Sequence, residues 1–73
     1  MEKGKIGMIT VFVNDETQTV SATTVAALLE ELGYGDARVA TALNGVFIPV
    51  TERDQACLVN GAKVEVVAPM QGG

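Results

Sequence analysis

The chain has 73 residues, of which 48% are hydrophobic and 19% charged, and nine acids against five bases leave a net charge of −4. A chain this short forms one domain with a thin core, which argues against a self-contained enzyme with a large pocket of its own. The acidic balance argues against a nucleic-acid surface, since such a surface needs a basic patch.

Cysteine and histidine usage narrows the chemistry further. Cys57 is the single cysteine and the chain has no histidine. An intrachain disulfide and a cysteine zinc site are therefore excluded, and the commonest general base is missing. The start of the chain lacks a signal-peptide run, and no apolar segment approaches the roughly 20 residues that a membrane span needs. We therefore expect a cytoplasmic protein with a reduced thiol.

The first part of the chain predicts a leader and a hairpin. Residues 1–7 are polar and contain glycine, and we expect them to form a flexible leader. Residues 8–13 are rich in β-branched and aromatic side chains, which favour a strand. Turn-forming side chains at residues 14–16 and an alternating pattern at residues 17–22 predict the return strand.

The middle of the chain predicts one amphipathic helix. Thr23 or Thr24 can cap it, and Gly33 is suited to end it in a left-handed conformation. Apolar side chains recur at i, i+3, i+4 and i+7, in Val25, Leu28, Leu29 and Leu32. Glu30 and Glu31 lie off that stripe, so we expect them to be solvated charges.

The remaining strands are shorter. Residues 39–44 predict a third strand, and the Asn-Gly pair that follows predicts a tight turn into residues 46–50. Pro49 indicates a strand end or an edge strand. Residues 51–58 are irregular, with room for one helical turn, and residues 63–68 predict the final strand.

This order of elements predicts an α+β fold of the β-grasp, or ubiquitin-like, type over residues 8–68. We expect a mixed sheet of four to five strands with one main helix packed on one face. We also expect the two strands that flank the helix to be parallel neighbours, joined by a right-handed crossover.

Residues 69–73 are predicted to form a flexible tail that ends in Gly-Gly. Pro69 ends strand pairing because it has no N–H to donate. Gly72 and Gly73 have no side chains and take backbone angles that other residues cannot, so they place a bare carboxylate on a thin stalk. The simpler interpretation is a frayed terminus that happens to be glycine.

Several short segments, taken in order, resemble one family. They are residues 13–15 (Val-Asn-Asp), residues 42–45 (Ala-Leu-Asn-Gly) and the terminal Gly-Gly. On these segments the chain resembles the ThiS family, the sulfur carrier proteins of thiamine biosynthesis, over roughly residues 9–73. The related small subunit of molybdopterin synthase shares the fold and the tail, so the pathway stays open between the two. Residues 69–71 are less small and apolar than many tails of the family.

The resemblance implies a carrier rather than an enzyme. A ThiF-like or MoeB-like activating enzyme would use ATP and magnesium to adenylate the carboxylate of Gly73, while Gly72 keeps the tail flexible. Sulfur from a donor such as a cysteine desulfurase would then give a thiocarboxylate, which a ThiG-like thiazole synthase consumes. The chain itself would bind no cofactor or metal, and we expect a monomer when it is free.

Strand alternation predicts a partner-binding surface on the outer face of the sheet. If Val11 and Val13 point toward the helix, Phe12 points outward. The same alternation turns Ala42 and Val67 outward. Together with Met70 of the tail, these side chains are our candidates for partner binding, since exposed apolar patches mark interaction sites. The alternative is that they are incidental exposed side chains.

Two further interpretations stay open. Cys57 has no neighbouring base or cation in the sequence, and we expect a small hydrophobic side chain rather than a redox thiol. The whole chain could also be a β-grasp interaction module without a transferable group. Removal of Gly72 and Gly73 would leave the function of such a module intact.

Overall fold

The computed structural model describes residues 7–35 and 38–68. In those residues the chain forms the following elements in order: strands β1 (Ile9–Val13) and β2 (Glu16–Val20), helix α1 (Val25–Glu31), strands β3 (Ala40–Leu43) and β4 (Val46–Ile48), a 3₁₀-helix (Val50–Glu52) and strand β5 (Lys63–Val67). One helix on a mixed sheet confirms the predicted α+β class. The predicted leader, apart from Gly7, and the predicted tail lie outside the described residues, so both stay predictions.

The strands form one sheet in the order β2-β1-β5-β3-β4. β1 and β5 are parallel at its centre, and the other neighbours are antiparallel. The expectation that the strands flanking α1 are neighbours is wrong, because β1 and β5 lie between β2 and β3. The connection through α1 instead passes over this central pair, whose four inward valines are buried: Val11, Val13, Val64 and Val66.

Both hairpins turn through two residues with positive φ. Asn14 and Asp15 have φ of 52° and 71°, and Asn44 and Gly45 have φ of 50° and 86°. Two successive positive φ values give a turn whose twist matches that of the flanking strands. Asparagine and aspartate tolerate this conformation because their short polar side chains form local hydrogen bonds. The two predicted turns are confirmed.

Thr24 caps the start of helix α1. The backbone N–H of Ala27 donates to the hydroxyl oxygen of Thr24, with 3.1 Å between nitrogen and oxygen. Gly33 follows the helix with φ of 90°, as its predicted role requires. With seven residues the helix is too short to be stable alone. Packing of its apolar stripe therefore holds it in place, and three members of that stripe are buried: Val25, Leu28 and Leu29.

The hydrophobic core lies between α1 and the inner face of the sheet. Its buried hydrophobic side chains come from β1, β2, α1, β5 and the connecting segments: Val11, Val13, Val20, Ala22, Val25, Leu28, Leu29, Leu58, Ala62, Val64 and Val66. The outer face of the sheet has no layer packed on it within the described residues. None of the helices in this part of the chain is long and apolar enough to cross a membrane.

Candidate functional site

The candidate reacting group, the carboxylate of Gly73, lies outside the described residues, as do Gly72 and Met70. The structure describes the part of the sheet from which this tail starts. β5 ends at Val67, and the chain continues through Ala68. The end of β5 is therefore the described part of the protein that lies nearest the candidate reacting group along the chain.

Asn14 completes the sheet at the end of β5. Its backbone N–H donates to the carbonyl of Val64 at 2.9 Å. Its side-chain Oδ1 accepts the N–H of Val66 at 2.9 Å, and its Nδ2 donates to the carbonyl of Val66 at 3.0 Å. β1 has turned away at this point, so a side-chain amide takes the place of a strand backbone. Both backbone polar groups of the buried Val66 are satisfied by it.

Two other asparagines hold strands in a similar way. Asn44 accepts the N–H of Lys63 at its Oδ1, 3.0 Å away, and donates its own N–H to the carbonyl of Lys63 at 2.7 Å. Asn60 accepts the N–H of Thr10 at 2.8 Å. Asn44 therefore secures the start of β5 and Asn14 its end. From the sequence, Asn14 and Asn44 were expected to form turns, and their bonds to β5 were not predicted.

The structure places Phe12, Ala42 and Val67 on the outer face of the sheet, as the alternation predicts. Val67 is 60% exposed, whereas Phe12 and Ala42 are half-buried. They do not form one continuous patch. Glu65 follows Lys63 and precedes Val67 on the same face of β5, so it separates Phe12 from Val67.

Phe47 is the outer-face residue that the sequence analysis missed. It pairs with Ala42 across the β3–β4 hairpin and is 64% exposed. Val67 pairs with Ala40, which lies two residues before Ala42 on β3. Ala40, Ala42, Phe47 and Val67 together form the apolar outer face. The two-residue turn at residues 44–45 could have revealed it, since that turn sets residue 47 opposite residue 42.

An open groove of about 300 Å³ runs along the outer face between Phe12 and Val67. Asp15 and Glu65 line it together with a single base, Lys63. The groove is open and partly charged, so it suits contact with a partner's surface more than enclosure of a small ligand. Its charge favours a partner with basic side chains opposite the two carboxylates.

Comparison with known proteins assigns the family. A model of the ThiS family matches residues 8–73. The chain belongs to the ThiS family. The structure of this ThiS-family chain is similar to the crystal structure of the thiamine biosynthesis protein ThiS from Geobacter metallireducens, with a TM-score of 0.76 and 29% sequence identity. The match covers 89% of this chain and 100% of the other. No curated protein matches the sequence significantly.

This structural similarity confirms the predicted β-grasp fold.

Other candidate residues of this ThiS-family chain have plainer roles. Cys57 is exposed rather than packed as a small hydrophobic side chain, and its Sγ lies 3.8 Å from the carbonyl of Gln55. Glu31 is exposed, yet it is more than a solvated charge, because it accepts hydrogen bonds from the backbone of Ser21 and Ala22. Across residues 7–35 and 38–68, no cluster of three acidic or cysteine side chains could hold a metal ion.

Proposed function

We propose that this ThiS-family chain is a sulfur carrier of thiamine biosynthesis that acts through the carboxylate of Gly73. The observation that supports the proposal most is the family match over residues 8–73, which includes both terminal glycines. The similarity to a thiamine biosynthesis protein of the same fold supports it as well. Together they indicate a carrier in that pathway; the chemistry at Gly73 is our proposal.

The proposed chemistry begins with activation of a poor acylating group. A carboxylate repels nucleophiles and has no good leaving group, whereas an acyl adenylate has AMP. The carboxylate of Gly73 attacks the α-phosphate of ATP and releases pyrophosphate. A persulfide on a partner then attacks the carbonyl carbon and AMP leaves. The product is an acyl disulfide between Gly73 and the partner's cysteine. A second thiol attacks the cysteine sulfur of this acyl disulfide, forms a disulfide with it, and releases the thiocarboxylate on Gly73.

Each partner would supply what this chain lacks. A ThiF-like or MoeB-like activating enzyme provides the nucleotide site and magnesium, and a cysteine desulfurase provides the persulfide sulfur. A ThiG-like synthase then takes the sulfur for the thiazole ring. In this scheme the chain is no enzyme, because it contributes the acyl group on which the others act. Glycine suits that position, since it presents no side chain to the attacking sulfur.

The length of the tail fits delivery into a channel. Residues 69–73, when extended, reach at most about 18 Å at 3.3–3.6 Å per residue. A body docked outside a partner can therefore place its carboxylate well inside that partner. The apolar outer face supports this division, because one of its members, Val67, is the last residue of β5, the strand that leads toward the tail.

Intact-protein mass spectrometry tests the proposal. The chain is incubated with a ThiF-like activating enzyme, ATP, magnesium, a cysteine desulfurase, cysteine and a reducing thiol. We expect its mass to rise by the difference between sulfur and oxygen, and the shift to disappear when residues 72–73 are deleted. An unchanged mass in the full reaction, with a known ThiS shifted in parallel, would refute the proposal. Thiazole formation by a ThiG-like synthase then separates the thiamine pathway from molybdopterin synthesis.

A further inference from the structure

We propose that Asn14 is a positioning residue for sulfur transfer. Its side-chain amide holds the backbone of Val66, near the end of β5, in the sheet, and so fixes the point from which the tail leaves. This inference rests on the proposed carrier function. It extends that function from the tail to Asn14, which lies 52 residues before its hydrogen-bond partner Val66.

The hydrogen-bond pattern of β5 shows why this one side chain matters. Val64 and Val66 direct their backbone groups toward β1, whereas Lys63 directs its groups toward the β3–β4 hairpin. β1 ends at Val13, one residue before the chain enters the left-handed turn. The N–H and the carbonyl of Val66 therefore both rely on the amide of Asn14.

Loss of that amide would release the end of β5 on one side. Val67 would then be held only through its pairing with Ala40 of β3. Two consequences follow for a docked carrier. Val67 is a member of the apolar outer face, so its position against a partner would become less defined. The chain between the fixed sheet and the carboxylate would also lengthen, and the effective concentration of a tethered group falls as roughly the −3/2 power of tether length.

The chain offers a matched control at the opposite end of the same strand. Asn44 occupies the same kind of turn as Asn14, with φ of 50° against 52°. Its side chain also accepts a backbone N–H of β5, that of Lys63. Lys63 lies three residues before Val66, which is about 10 Å along a strand. Replacement of Asn44 therefore removes a similar bond far from the tail.

The test compares Asn14→Gly with Asn44→Gly and the unchanged chain. Glycine adopts positive φ readily, so both turns can be kept while each side chain is removed. Adenylation is followed as ATP–pyrophosphate exchange with a ThiF-like activating enzyme, well below the melting temperature of every variant. Amide hydrogen exchange of the free carriers reports opening at Val66 and Val67.

We expect faster hydrogen exchange at Val66 and Val67 in Asn14→Gly alone. For this variant we expect kcat of adenylation to fall at least about twofold, with a smaller change in KM, because the body still docks while the carboxylate enters the active site less often. Asn44→Gly should keep both kinetic constants. Asn14→Asp is the second variant. The carboxylate of Asp can accept the N–H of Val66 but cannot donate to the carbonyl of Val66, and the two oxygens repel each other. We therefore expect kcat to fall in this variant as well.

Three results would overturn the inference. Equal kinetic constants in Asn14→Gly and the unchanged chain would show that the end of β5 needs no fixing, while the carrier function would stand. An equal loss in Asn14→Gly and Asn44→Gly would show a general effect of stability instead of positioning. Absence of exchange with the unchanged chain, under conditions in which a known ThiS is adenylated, would overturn the carrier function and this inference together.

Discussion

Arg53 donates a hydrogen bond from Nε to the hydroxyl of Thr41, with 3.2 Å between the two atoms. Thr41 is the only polar residue of the described chain that is fully buried, at 2% exposure. Its hydroxyl in turn donates to the carbonyl of Ile48 at 3.1 Å. Arg53 also donates to the carbonyl of Val39. A single guanidinium therefore ties the segment after the 3₁₀-helix to β3 and, through Thr41, to β4.

Replacement of Thr41 by valine should destabilise the fold. Valine has nearly the same shape but no hydroxyl, so Nε of Arg53 and the carbonyl of Ile48 both lose a partner in a partly buried place. We expect a loss of about 1–3 kcal/mol in the free energy of unfolding, measured by urea denaturation. Thr19→Val, at an exposed position of β2, is the control and should change it by less than about 0.5 kcal/mol. Equal losses in the two variants would contradict the role of the network.

Glu31 should contribute more to stability than its neighbour Glu30. The carboxylate of Glu31 accepts the backbone N–H of Ala22 at 3.0 Å and that of Ser21 at 3.2 Å, and so links the end of α1 to the start of its connection with β2. We expect Glu31→Ala to lower the free energy of unfolding by about 1 kcal/mol in chemical denaturation. Glu30→Ala, at an exposed position, should be nearly neutral. The reverse order would contradict this assignment.

Phe47 and Val67 should contribute to partner binding without contributing to folding. Each is at least 60% exposed on the apolar outer face. Serine at either position should weaken binding to a ThiF-like activating enzyme by about 1–2 kcal/mol, or roughly five- to thirtyfold in Kd by calorimetry. Val50→Ser is the control, since Val50 is 69% exposed but lines a pocket beside α1. Weaker binding by Val50→Ser alone would place the partner on the other side of the domain.

A branched side chain at Gly72 should impair adenylation and leave stability unchanged. Valine widens the stalk and restricts its backbone angles. All buried residues of the hydrophobic core fall within residues 11–66 of the sequence. We therefore expect the melting temperature of Gly72→Val to match that of the original chain. We expect kcat/KM for adenylation to fall roughly tenfold or more, given how steeply reaction rates depend on placement. Normal kinetics would refute the narrow channel, and a large drop in melting temperature would assign the tail to the fold.

Local patterns were sufficient for most of the fold. The i, i+3, i+4, i+7 stripe identified α1, and the Asn-Gly pair identified the second hairpin, because both signals depend on residues close together in the chain. The order of strands was not accessible in this way. β1 pairs with β5 across about fifty residues of sequence. The alternating pattern that includes Val64 and Val66 indicates a strand with one buried face, but it does not indicate which strands lie beside it.

The candidate site shows the same limit. Phe12, Ala42 and Val67 were assigned to the correct face, because a period of two needs no knowledge of the sheet. Their separation by Glu65 depends on which strands are neighbours, and so does the bond from Asn14 to Val66. Phe47 was within reach of the sequence. Its place opposite Ala42 follows from the length of the turn alone, although only the sheet shows that Val67 lies on the same surface.

The central place of β5 makes assembly depend on the end of synthesis. The β1–β2 hairpin and the β3–β4 hairpin do not touch each other in the sheet; β5 alone joins them. While the chain is still on the ribosome before Lys63, Val13 of the first hairpin and Leu43 of the second both lack Val64, the β5 residue with which each pairs. Such a nascent chain exposes apolar surface and is open to proteases and chaperones. A folded body is therefore evidence that translation has passed Val67. A partner that recognised this body would select chains in which the strand leading to the proposed sulfur-carrying end had already been made.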